Sequence, residues 1–577
     1  MTPFLACLLA LPGVVLGARA DHRTTLLSAM EVELERSVAE LRLDDHLPPY
    51  YISYRLVDRD SVVVEASFGA VVQDQRRKNR EVSVDVRVGD YTFDSSPEPD
   101  DDVLFSEQSN FRPSHKAPVD DDPATLRATL WLLSDLAYKD ALGTHLRKKA
   151  RKVNKVQDKQ VDSFSKEKAV KHLDPPLALE VDRARMARVA RAVSARFRSD
   201  DGLVLGGTMR VTADRVRVYL VNSEGTRLVR EHLIYAYAFD VAGRAPDGLL
   251  LQQGQTLYGR AWSELPDEAA VIKLADTALA DLRALAAAPV ADPYTGPAIL
   301  EPEATGVFFH EAVGHRLEGE RQNDDNEGQT FKGHVGAKIL PDFVTVRDDP
   351  SMRAFAGVSL NGFYPFDDQG VASQNVVLVD KGVLRTFLTS RTPIEDLAHS
   401  NGHGRAQGVH RPMARMGNLI VEGANPVSRA ELKVKLLEEV RNQGKPYGLI
   451  IRDITGGSTN TSGYGYQAFK GTPRMVYRVD AKTGAETLVR GVEMVGTPLT
   501  AVSKIVATSK EMGVFNGYCG AESGYVPVST VAPATLFREI ELQRTRRAKE
   551  RAPLLPPPWK GKPSEKRHPW APQSDRQ

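Results

Sequence analysis

Cysteine is almost absent from this chain: Cys7 and Cys519 are the only two in 577 residues. Two cysteines make at most one disulfide, so a disulfide-stapled scaffold is excluded. Surplus charge is absent too. Lys+Arg 76 against Asp+Glu 75 leaves a net charge of +1, which gives no global pull toward nucleic acid or anionic lipid. No apolar run is long enough to span a bilayer. No repeat recurs at solenoid periods. Gly456-Gly457-Ser458 lacks the Lys-Ser/Thr that would make it a phosphate loop. What is present is a hydrophobic fraction of 41%, usual for a globular protein, over a length that calls for two domains.

The ends read differently from the middle. An apolar run from Phe4 to Leu16 precedes Ala18-Arg19-Ala20, the pattern of an export signal over residues 1–20. Export would place the protein in the periplasm or outside the cell; without it the protein is cytoplasmic. Cleavage would leave Cys519 as the only thiol. From Arg551 to Gln577 the chain is rich in Pro, Lys and Arg without apolar periodicity, so a disordered tail is expected.

Between the ends the expected class is α+β. A first domain over 21–290 starts with a helix at 23–42. Strand-like runs follow at Tyr50 to Val57, Ser61 to Val72 and Val82 to Val88. A charged helical insertion spans about 97–175. It holds an acidic loop, Pro97 to Asp102, a helix at 124–140 and the basic run Arg147-Lys148-Lys149-Ala150-Arg151-Lys152. That run reads as a solvated helix face, because no aromatic residues interleave it. A helix from about Leu177 to Arg198 carries the stripe Met186, Val189, Val193 and Phe197. Strands over Gly207 to Arg260, a helix at 267–287 and a two-proline linker close the domain. The second domain, 294–550, is mostly strand-like after about residue 335. It has one helix carrying histidines and another at Arg429 to Asn442.

Chemistry concentrates in His310-Glu311-Ala312-Val313-Gly314-His315. A catalytic zinc keeps three protein ligands and an open position for water. His310, His315 and the remote Cys519 supply the ligands, and Glu311 stands beside one of them as a general base. The spacing is awkward: five positions turn about 140° round a regular α-helix, against about 40° for the four-residue zincin spacing. The helix must therefore widen or break near Gly314. The bland alternatives are a surface or capping pair of histidines and a small buried Cys. Cys519, between Gly517 and Gly520, is expected at a sharp turn. His403, His410 and His334 read as loop or edge histidines, with a place near the site for the first two as the alternative. Ser462 to Phe469 reads as a substrate-facing hairpin or a packed strand.

Tyr294-Thr295-Gly296-Pro297, Glu301-Pro302-Glu303-Ala304, the histidine motif with Leu317-Glu318-Gly319, Pro412 to Met416 and Cys519-Gly520 with Val526-Pro527-Val528 together resemble the TldD branch of the TldD/PmbA metalloproteases, the modulator of DNA gyrase family. The resemblance covers most of residues 200–540. It implies an N-terminal α+β domain and a C-terminal, mostly antiparallel β domain that is barrel-like, with Zn2+ on the positions matching His310, His315 and Cys519 and Glu311 as catalytic base. It also implies an unfolded or small peptide as substrate, and a homodimer or a heterodimer with a PmbA-like paralogue. Two departures stand out: Arg316 where the family usually has Gly, and Glu320 where Asp is common. A long side chain beside a ligand could block the open position. A non-catalytic peptide-binding subunit and a zinc amidase acting on a non-peptide amide are therefore the alternatives to a zinc peptidase.

Overall fold

The computed structural model describes residues 22–96, 115–152, 161–324, 326–461, 468–545, 550, 551 and 553–559. The expected export signal, the acidic loop at 97–102 and residues 462–467 lie outside these. The N-terminal half runs α1 (His22–Glu40), β1 (Pro49–Ser67), β2 (Ala70–Val88), α2 (Pro123–Lys152), β3 (Lys171–Leu173), α3 (Arg183–Ala195), β4 (Val204–Asn222), β5 (Arg227–Arg244), β6 (Leu250–Gly259) and α4 (Glu268–Ala287). Its sheet has the order β2-β1-β4-β5-β3, with β6 also on β5. Only the β3–β5 pairing is parallel.

The three strand runs expected between residues 50 and 88 are instead two strands, each of 19 residues. They join at Phe68-Gly69, where both residues have positive φ, the turn that matches the twist of a hairpin. The charged stretches continue as strand because backbone pairing with β1 does not depend on side-chain polarity, and an edge strand such as β2 tolerates charge. α3 begins later than expected, at a cap where the Asp182 side chain accepts from the Arg185 N–H. α2 runs on through the basic run. There Arg147, Lys149 and Arg151 are exposed, and Lys148 donates to the Ser96 carbonyl at 2.8 Å.

All four helices lie on one face of this sheet. Ile52, Tyr54 and Leu56 of β1 with Tyr219 and Val221 of β4 pack against α1 and α2. Val62, Val64 and Ala66 with Met209, Val211 and Ala213 pack against α3 and α4. The period-2 alternation keeps these residues on the same side. Between the two apolar clusters sits a buried ionic chain. Glu231 accepts from Arg23 at 2.8 Å and pairs with Arg217 at 2.8 Å. Arg80 and Arg217 both approach Asp58.

The C-terminal half continues with β7 (Tyr294–Leu300), α5 (Pro302–Ala312), β8 (Val344–Asp348), the short pair β9 (Ala354–Phe355) and β10 (Val358–Ser359), β11 (Val376–Asp380), β12 (Val383–Leu384), the short pair β13 (Gly404–Arg405) and β14 (Met413–Ala414), and β15 (Asn418–Gly423). Then come α6 (Arg429–Asn442), β16 (Tyr447–Thr459), β17 (Phe469–Asp480), β18 (Glu486–Val489), β19 (Val492–Gly496), α7 (Pro498–Val502), β20 (Ile505–Ala521) and β21 (Gly524–Arg544). β7 pairs with both β16 and β21, so β7, β16, β17, β19 and β21 close a circuit of pairings. The pairings are antiparallel except β7–β16 and β15–β21. α5 packs against β16, β17, β20 and β21 and is buried all round from Ala304 to Ala312. In the tail expected to be disordered, the Trp559 indole donates to the Ser199 carbonyl at 2.8 Å, and its ring lies on Phe68.

Guanidiniums clamp the two halves together. Arg391 donates to Tyr51 Oη, the Ser165 carbonyl and Glu224. Arg55 donates to the carbonyls of Gly408 and His410. The helix-free face of the N-terminal sheet is thereby held over the C-terminal half.

Removing a partner from a buried ionic chain leaves an uncompensated charge, which costs far more than the intact pair contributes. Glu231→Ala removes the carboxylate shared by Arg23 and Arg217, both nearly fully buried. It is expected to lower stability by about 3 kcal/mol, measured by chemical denaturation.

Candidate metal centre

α5 brings His310 and Glu311 to its last turn, then stops. Its final residue is Ala312, and Val313 leaves the helix at φ −118 and ψ −53. A 3-10 turn over Gly314–Leu317 follows. This break swings His315 back beside His310, with ring centroids 4.9 Å apart. Cys519 comes from the far side on β20, opposite Val526 of β21. It lies within a regular strand and not at the sharp turn expected from its glycines. The hairpin turn falls later, at Glu522-Ser523.

The three side chains meet. Cys519 Sγ lies 3.1 Å from His310 Nε2 and 3.3 Å from His315 Nε2. All three are buried. Zinc–nitrogen bonds of about 2.0 Å and a zinc–sulfur bond of about 2.3 Å put ligand atoms about 3.5 Å apart across a tetrahedron. The observed spacings are close to that value, and two imidazoles with one thiol are a fitting donor set for a metal ion. Charge supports the ligand form. Burial pushes the Cys519 thiol up, but the two imidazoles outweigh it and hold it well below its usual range, which favours thiolate.

A second layer of residues, unassigned from sequence, holds these groups. Glu318 is fully buried and takes the His315 Nδ1 side at 3.0 Å, leaving Nε2 to face Cys519. The same carboxylate accepts from Arg321 Nε at 3.0 Å, and Arg415 approaches at 3.3 Å. Burial would raise the Glu318 pKa, yet His315 and Arg321 outweigh it and keep the group ionised far below the usual carboxylate range. Arg321 ties onward to Glu522. Arg415 donates to the Cys519 carbonyl at 2.7 Å. Glu318 follows His315 by three residues, a spacing that puts a carboxylate within reach of a ligand's other ring nitrogen. That was the available signal.

Glu311 is buried among the same groups. Burial raises its pKa above the usual carboxylate range, despite the two imidazoles. Gly457 of β16 passes directly over it: a Cβ there would lie 2.9 Å from Glu311 Oε1. Arg316 does not enter the site. Its guanidinium turns outward to the Glu311 carbonyl and Thr459 Oγ1, at 2.8 and 2.9 Å, and to the Asn460 carbonyl, so the long side chain leaves the cleft clear. Glu320 accepts from Ser390 and from the Ala414 N–H, and serves packing. His403 is fully buried, not a loop bystander, and pairs with Asp348 at 3.2 Å. His410 and His334 are exposed.

The His310–His315–Cys519 cluster opens into a cleft of ≈ 1110 Å³. Its floor is His310, Glu311, His315 and Cys519. Its roof is the helix-free face of the N-terminal sheet, including Arg210, Asp240 and Tyr258. Among the described residues, no helix is long and apolar enough to cross a membrane.

Residues 293–544 match the family model of the PmbA/TldA metallopeptidase C-terminal domain. A metalloprotease of Archaeoglobus fulgidus is 34% identical over 242 residues, covering 42% of this chain and 51% of the relative. A zinc metalloprotease TldD homolog of Saccharolobus solfataricus is 26% identical over 248 residues, covering 43% and 51%. The chain spans about half the length of these curated relatives. In fold it is similar to TldE from Thermococcus kodakarensis, with a TM-score of 0.57 at 16% identity, over 89% of this chain and 100% of that one. Residues 293–544 thus carry the C-terminal domain of the PmbA/TldD metallopeptidases, and the fold over most of the chain is that of the TldE structure.

If Glu318 orients His315, removing its charge while keeping its shape should loosen the metal. Glu318→Gln is expected to lower zinc affinity by about ten- to a hundredfold, read by competition with a chromogenic chelator. Unchanged affinity would remove Glu318 from this role.

Proposed function

We propose that this protein is a zinc-dependent peptidase of the TldD/PmbA family, with His310, His315 and Cys519 as ligands and Glu311 as the proton carrier. The observation that carries this reading is the convergence of two imidazoles and the one described thiol beside a buried carboxylate, at the floor of a deep cleft. The name of a relative that includes zinc supports the choice of metal. Bound there, zinc supplies Lewis acidity and brings the pKa of water near neutrality.

The protein's own groups do the rest. Glu311 accepts a proton from the attacking water and delivers it to the departing amine nitrogen. Burial raises the Glu311 pKa above the usual carboxylate range, which strengthens the group as a proton acceptor. Glu318 holds the His315 ring in one orientation. The N-terminal sheet shields the floor from bulk water and leaves room for an extended chain. That shape favours unfolded or short peptides over folded proteins. Arg316, turned outward, gives no support to a blocked, non-catalytic site. Pairing with a second copy or with a PmbA-like paralogue belongs to this reading, supported by the fold shared with a TldE chain.

Glu311→Gln should abolish peptide cleavage while the chain still binds one zinc, measured by digestion of a peptide library and by metal analysis. Cleavage at the parent rate would falsify the assignment of Glu311. Gly457→Ala tests the same group from the opposite side. Its methyl group pushes against the Glu311 side chain, so kcat is expected to fall at least tenfold with zinc content unchanged. A parent-like kcat would show that Glu311 need not sit where it does.

A further inference from the structure

Past Tyr518, a second cavity of ≈ 150 Å³ lies between the N-terminal sheet and the C-terminal half. It shares Ser359, Tyr518 and Tyr525 with the cleft over the metal centre, so the two adjoin. Tyr518 and Tyr525 are both exposed, at 47% and 64%, and offer apolar sides for a chain passing from one cavity to the other.

The wall of this cavity is unusually cationic. It presents Arg59, Arg230, Arg260 and Arg405 against two carboxylates, Asp214 and Asp368. Asp368 is already shared by Arg230 and Arg55. Asp214 is held above the usual carboxylate range by burial, which weakens its contribution. Arg59 makes no ion pair among the described residues, and the Nε–H groups of Arg230 and Arg260 are buried without an acceptor. Burial and the neighbouring Arg353 push Arg260 down to about 10. Burial, Arg230 and Arg260 push His232 down to about 3, so it is neutral near pH 7. Enclosed guanidinium donors with no acceptor are costly to maintain. A planar carboxylate supplies both the charge and the paired acceptors that a guanidinium fork matches.

We propose that this cavity is a carboxylate-binding subsite for the peptide that occupies the metal cleft. An extended chain crossing the centre passes Tyr518 and Tyr525 and sets a carboxylate against Arg59 and Arg260. That carboxylate is either its C-terminus or an Asp or Glu side chain. The proposal rests on the peptidase reading for the identity of the ligand.

Binding, read without turnover, tests it. The probe is a set of fluorescein-labelled peptides on the zinc-loaded full chain carrying Glu311→Gln, followed by anisotropy. One peptide has a free C-terminus, one is amidated with an internal Glu, and one is amidated with Gln in place of that Glu. At least one carboxylate-bearing peptide is expected to bind tenfold or more tightly than the uncharged one. The arm that does so identifies terminus or side chain. Adding R59Q should bring the ratio close to one without altering zinc content or affinity for the uncharged peptide, and R260Q should do the same. Should R260Q fail to fold, R59Q, on an exposed strand position, decides alone. Equal affinities for all three peptides, or a ratio that survives R59Q, overturns the proposal. If the parent chain cleaves none of these peptides, the peptidase reading fails separately, and the binding ratio still decides the subsite.

Discussion

The Glu318 carboxylate is the interaction on which the metal centre depends. It is fully buried, and an unpaired charge at that depth is prohibitively costly. His315, Arg321 and Arg415 surround it. Each of those groups fixes something else in turn. His315 is turned toward Cys519, Arg321 reaches the β20–β21 hairpin at Glu522, and Arg415 holds the Cys519 backbone. Three chain segments, those of Glu318, Arg415 and Cys519, are thus registered to one another through one anion. Fixing a ligand through such a shell narrows its freedom before any metal arrives, so less ordering entropy opposes binding.

The same economy appears at the scale of the domains. The N-terminal sheet buries one face under four helices and leaves the other for the C-terminal half. Strand alternation makes that division possible: along β4, Met209, Val211 and Ala213 face the helices while Thr208 and Arg210 line the cleft. A one-residue slip in register would exchange the two sets. In the β1–β2 hairpin the turn at Phe68-Gly69 sets the first pairs, and an irregularity between Glu65 and Ala66 shifts the register by one residue from there to Tyr51. Guanidinium-to-carbonyl bonds then hold the sheet over the site. They suit the task because a carbonyl offers an acceptor without a second charge to desolvate.

Much of this was legible in the sequence, for identifiable reasons. The helices α1, α4 and α6 carry local signals, with side-chain caps at Asp267 of α4 and Ser428 of α6, and their bounds agree with the expected ones to within a few residues. The meeting of His310, His315 and Cys519 was legible because such side chains are rare in the chain: one thiol among the described residues, and two imidazoles bracketing a carboxylate. The break in α5 was legible as a geometric necessity of the five-residue spacing. What could not be read depends on partners distant in sequence. β2 looks like loop through Gln73 to Arg80 and is strand only because β1 pairs with it. Cys519 looks like a turn residue and is strand because β21 lies beside it. Arg316 looked like an obstruction, and only the nearby Thr459 and Asn460 show where it goes.

The glycines of the site show why local reasoning can reach the right place for the wrong reason. Gly314 was expected to be glycine for conformational freedom, yet it is not among the residues with positive φ. Its function is space: any Cβ there would overlap the Met416 sulfur, which packs beneath the turn. Gly457 is the same case on the opposite side, where strand β16 passes too close to Glu311 for a side chain to fit. Neither position needs an unusual backbone, and both need the absence of an atom. The broken helix can therefore sit low against β15, while β16 closes down over the carboxylate. The floor of the cleft is set where the turn after α5 packs on Met416 and β16 passes over Glu311, and its dimensions depend on side chains that are not there.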